Sequence, residues 1–103
     1  MAQYFQLVRK DDLESGPVAF SIIDEELCKF LGCGAHPVKY VAEWYDTIGL
    51  RLACGRSFDD IIEEFQRSLD SEKGYGSAEW YATILKIAKY LQEHYTSDAW
   101  YGR

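Results

Sequence analysis

Cys28, Cys33 and His36, in the spacing Cys-x4-Cys-x2-His, are the residues of this 103-residue chain whose types most readily suggest chemistry, and Cys54 follows further along. Thiolates and an imidazole are the right donors for a tetrahedral zinc ion. Structural zinc sites, however, use ligand pairs roughly two to four residues apart at each end, and Cys54 has no neighbouring ligand. Cys28 also stands beside Leu27 in a segment that needs core residues, and cysteine is among the side chains most often buried. A zinc site of Cys28, Cys33, His36 and Cys54 is therefore an alternative to a chain with no metal and no cofactor, which is the principal expectation. A Cys33 nucleophile activated by His36 would need an orienting group and an oxyanion hole, and neither can be pointed to.

The carboxylates are the other candidates. Asp59, Asp60, Glu63 and Glu64 fall on one side of a segment whose other side carries Phe58, Ile61, Ile62, Phe65 and Leu69. That pattern describes an amphipathic helix with an acidic outer face. Arg67 lies one turn after Glu63 and compensates part of the charge. No glutamate has a histidine three residues later, so the Glu-x-x-His pattern of a di-iron bundle is absent, as are phosphate-loop, nucleophile-elbow and zinc-protease motifs. No catalytic residue is assigned.

The elements that would carry these residues follow from the periodicity. Tyr75 to Tyr95 is the longest helical pattern, with Ser77 as N-cap and a stripe of Trp80, Ile84, Ile87, Ala88, Leu91 and Tyr95. Glu79, Lys86, Lys89 and Glu93 lie opposite. Pro37 suits the first turn of another helix, whose stripe of Val38, Val41, Trp44, Tyr45, Ile48 and Leu52 runs to Gly55. Leu50 and Cys54 occupy the far side of that helix. Ser57 with Asp60 forms a capping box for the acidic helix. A short helix, EELCKFL, starts at Asp24 or at Ser21 and ends at Gly32, with Leu27, Phe30 and Leu31 inward. Two apolar, branched runs, Tyr4 to Arg9 and Pro17 to Ile23, flank the turn cluster LESGP and suggest a hairpin. A helix through Lys10 to Ser15 is the competing reading. The fold class is mainly α, or α+β if the N-terminal hairpin forms: a bundle of about four helices in one globular domain, 1–103.

Length and charge restrict the partners. A net charge of −6 repels phosphate backbones and anionic lipid at long range, so a basic protein is favoured over nucleic acid. The acidity is uneven: Ser57 to Lys73 carries a net −4, while Gly74 to Arg103 sums to zero. No run approaches the roughly eighteen apolar residues that mark a membrane span. The opening segment lacks a signal-peptide pattern, and three reduced thiols in a cytoplasm are the simplest setting for the odd cysteine count.

Residues 50–69, a helix ending in glycine, a short turn and a capped helix, have the layout of a helix-turn-helix. A DNA reader would present Arg, Lys, Asn or Gln from the second helix, which here presents Asp and Glu. The segments YFQLVRKDDL and VAEWYDTIGLRLACGRSFDDIIEEF resemble small, uncharacterised bacteriophage and prophage proteins. That resemblance implies a protein of a bacterial host's cytoplasm that works by binding another macromolecule, and it implies no activity.

The expected function is a non-enzymatic protein-binding module, such as a phage-encoded modulator or inhibitor of a host protein. It would use Asp59, Asp60, Glu63 and Glu64 as an acidic patch, with Trp100 and Tyr101 as aromatic anchors. A helix-turn-helix DNA-binding regulator and a zinc- or cysteine-dependent protein are the alternatives. A monomer or weak homodimer is expected.

Overall fold

The computed structural model describes residues 3–32, 43–71 and 78–101, except for the side chains of 3–4 and 98–101. Cys33, His36, Pro37, Val38, Val41, the connection after Ser71 and the cap at Ser77 lie outside the described residues. The fold is mainly α, with a two-stranded antiparallel sheet that takes in the N-terminal segment. Strand β1 is Gln3–Arg9, and a 3-10 turn follows at Leu13–Ser15. Helix α1 is Phe20–Leu31. A π-helical turn, Tyr45–Gly49, runs directly into α2, Leu50–Ala53. Helices α3, Phe58–Ser71, and α4, Ala78–His94, follow, and β2 is Tyr95–Tyr101.

Residues 4–9 are extended as their aromatic and branched types suggest, but the ladder is completed from the far end of the chain. The register runs from Gln3 opposite Tyr101 to Arg9 opposite Tyr95. Pro17–Ile23 contributes a single bridge, Val8 to Pro17, with the Val18 amide donating to the Leu7 carbonyl at 2.8 Å. It then turns into α1. Proline has no amide hydrogen to continue a ladder. Phe20 and Ile23 gain their contacts from a helical path instead: Phe20 packs on the Phe5 ring at 4.9 Å, and Ile23 is fully buried. The helix therefore begins four residues earlier than Asp24, with Ala19 at the N-cap. The competing short helix is reduced to the 3-10 turn, which ends on Gly16 at φ +74°.

The stripes pack largely as their spacing predicts, except that Tyr45 is 43% exposed and Trp80 only half-buried. Ile84, Leu85, Ile87, Ala88, Leu91 and Tyr95 of the last helix and the strand after it are buried, while Glu79, Lys86, Lys89 and Glu93 face water. Trp44, Ile48 and Leu52 from the second helical segment, Ile61 and Phe65 from α3, and Leu7, Ile23 and Leu27 join them in one cluster. The strand alternates as a half-covered strand should, with Phe5 and Leu7 inward and Gln6 and Val8 half-exposed. Phe30 departs from the expectation. It lies 48% exposed, its ring resting on Tyr90 at 4.6 Å rather than entering the core. Among the described residues no helix is long and apolar enough to cross a membrane.

Two glycines have distinct reasons to be glycine. Gly55 sits at φ +84° in a Schellman turn: its amide donates to the Leu52 carbonyl at 3.0 Å, and the Arg56 amide donates to the Arg51 carbonyl at 3.1 Å. Gly49 has an ordinary helical backbone, so its need is steric. A Cβ there would stand 2.8 Å from Cζ of the Phe5 ring. The π-helical turn thus ends where the Phe5 ring of β1 packs against the helix backbone.

Candidate functional site

Helix α3 brings the four predicted carboxylates onto one element. Its start is fixed by Ser57, whose hydroxyl accepts from the Asp60 amide at 3.1 Å. Asp59 and Asp60 occupy the first turn, where negative charge is favoured by the exposed amides of the helix end. Their positions therefore have a structural use as well as an electrostatic one. Asp59, Asp60 and Glu63 are exposed, while Phe58, Ile61 and Phe65 anchor the opposite side.

The four acids have different partners. Glu63 pairs with Arg67 at 2.6 Å along the outer surface, as the spacing implies. Asp59 accepts from the Gln92 side chain of α4 at 2.7 Å. Glu64 is half-buried, and two guanidiniums converge on it. Arg51 of α2 approaches through Nη2 at 2.7 Å and Nε at 3.1 Å, and Arg56 of the turn pairs with the other carboxylate oxygen. Arg51 is itself held from three sides, since its Nη1 donates to the Thr47 carbonyl at 2.9 Å and its Cζ lies 4.8 Å from the Phe65 ring centroid. The hydrogen bond from Arg51 is the largest influence on Glu64. It outweighs desolvation and, with Arg56, holds the carboxyl below its usual pKa.

This arrangement determines the electrostatics of the helix corner at residues 50–69. Arg51 and Arg56, the cations nearest the turn, are both spent on Glu64. What α3 leaves to solvent around its first two turns is Asp59, Asp60 and the Glu63–Arg67 pair. Glu64 therefore belongs to the internal tie between α2 and α3 more than to the outer face.

The remaining predicted site residues are scattered. Trp100 and Tyr101 lie on β2, their backbones opposite Tyr4 and Gln3, with side chains outside the described set. Cys28 is half-buried against the core from α1, and Cys54 is exposed at the end of α2. Among the described residues no three potential ligands come together around a metal position.

A second polar cluster carries no sequence signature. Glu26 on α1 receives the Arg9 guanidinium from β1 on one oxygen and the Tyr95 hydroxyl on the other. Burial resists ionisation of Glu26, but the hydrogen bonds from Arg9 and Tyr95 together overcome it and leave the pKa lowered. Burial and the same carboxylate push the Tyr95 phenol up. The Arg9 guanidinium also lies 5.3 Å from the Tyr95 ring centroid. The three residues are far apart in sequence and sit on three elements. The one hint was the inward placement of Tyr95, because a buried phenol hydroxyl needs a partner. Two indole N–H groups are satisfied in the same way, Trp44 donating to Asp24 and Trp80 to Glu43. Carboxylates, half-buried at Glu26 and Glu43 and exposed at Asp24, thus act as acceptors that fasten aromatic side chains between elements.

No family model, no curated protein and no solved structure matches this chain.

Proposed function

We propose that this protein is a non-enzymatic protein-binding module that recognises a positively charged partner segment through the exposed carboxylates of α3. The observation that carries the reading is the charge segregation at the helix corner: Arg51 and Arg56 are consumed inside by Glu64, and Asp59, Asp60 and the Glu63–Arg67 pair remain outside, a net negative surface. Such a surface attracts basic groups and repels phosphates. Trp100 and Tyr101, placed at the end of β2, are the proposed aromatic anchors, since indole and phenol rings contribute disproportionately at protein interfaces. A phage-encoded modulator of a host protein, acting in a bacterial cytoplasm, fits this mode of action.

A DNA-reading role for residues 50–69 has the Schellman-turned helix pair in its favour and the charge against it. The second helix of such a pair must bring cations to the backbone, and here its first turn carries two aspartates. Affinity capture from bacterial lysate compares wild type with the triple variant Asp59→Lys, Asp60→Lys, Glu63→Lys. The expected result is a partner held by wild type, released by salt and lost in the variant. Retention of every captured protein by the variant would overturn the assignment.

A further inference from the structure

We draw no further inference here: the strongest candidate, the exposed ring stack of Phe30, Tyr90 and His94 between α1 and α4, sits beside a Glu26 carboxylate already held by Arg9 and Tyr95, and nothing in the structure shows what covers it.

Discussion

Replacing Glu64 by glutamine keeps the shape of the side chain and removes the charge that two guanidiniums share. In the structure Arg51 makes a two-pronged contact, Nη2 at 2.7 Å and Nε at 3.1 Å to one oxygen, and Arg56 takes the other. Charge-assisted hydrogen bonds of this kind contribute about 1.5–3 kcal/mol when shielded from water. The three side chains here are 31–40% exposed, so solvent screening reduces that figure toward the range of open ion pairs. A net loss of about 1–2 kcal/mol is expected, which for a domain of this size corresponds to a fall in Tm of roughly 5–10 °C. The cost should shrink as salt is added, because the attraction is partly exposed.

The same substitution has a pH signature. The Glu64 pKa is lowered in the folded chain, so its contribution is fully present above the unfolded value of about 4.3 and is lost as pH falls through the folded value. Denaturant unfolding of wild type and Glu64→Gln from neutral to acid pH should give stability curves that are separated near neutrality and converge below about pH 4. Equal stability at neutral pH and low salt, or a gap that persists unchanged into acid, would refute the account of Glu64 as an internal tie.

Two further perturbations address the rest of the framework. Tyr95→Phe removes the hydroxyl that Glu26 accepts, with an expected loss of about 1–2 kcal/mol, and the Glu26 carboxyl should titrate at higher pH, extending the acid-sensitive range upward. Carboxyl-resolved NMR titration together with chemical denaturation checks both parts. Gly49→Ala drives a methyl into the Phe5 ring; overpacking of about 1–3 kcal/mol is offset by a helix-propensity gain of about 1, for a net destabilisation near 1 kcal/mol. In a Phe5→Leu background that cost should fall, as a double-mutant cycle by thermal unfolding would show.

What could be read from the sequence was local. Helix stripes repeat within a few residues, and so the inward set from Ile84 to Tyr95 and the outward set of Glu79, Lys86, Lys89 and Glu93 could be assigned from spacing alone. Caps are equally local: the Ser57 hydroxyl oxygen accepts from the Asp60 amide, and Gly32 and Gly55 take left-handed conformations at their helix ends. Strand pairing is not local. Nothing near Tyr4–Arg9 indicates that its partner lies at Tyr95–Tyr101, and the neighbouring run Pro17–Ile23 offered the nearer, equally branched candidate. Its second half, from Phe20, is helical because Phe20 and Ile23 find ring and core contacts on the helical path, a case of tertiary packing overriding strand propensity.

The candidate site divides in the same way. The acidic face of α3 and the Glu63–Arg67 pair could be read from helical spacing, since both belong to one helix. The fate of Glu64 could not, because its partners arrive from α2 and from the turn. Arg51 and Arg56 flank the Schellman turn at Gly55 and reach the same carboxylate across it. The Glu26 cluster was hidden for a similar reason, being assembled from β1, α1 and β2.

The most direct test sets the two electrostatic readings against each other. A fluorescent Lys/Arg-rich peptide and a fluorescent duplex DNA are titrated with the same protein at low ionic strength, and binding is followed by anisotropy. The account predicts that the peptide binds, that salt weakens it, and that the Asp59→Lys, Asp60→Lys, Glu63→Lys variant abolishes it, while the duplex stays free. Binding of the duplex by wild type with no response to the peptide would contradict it.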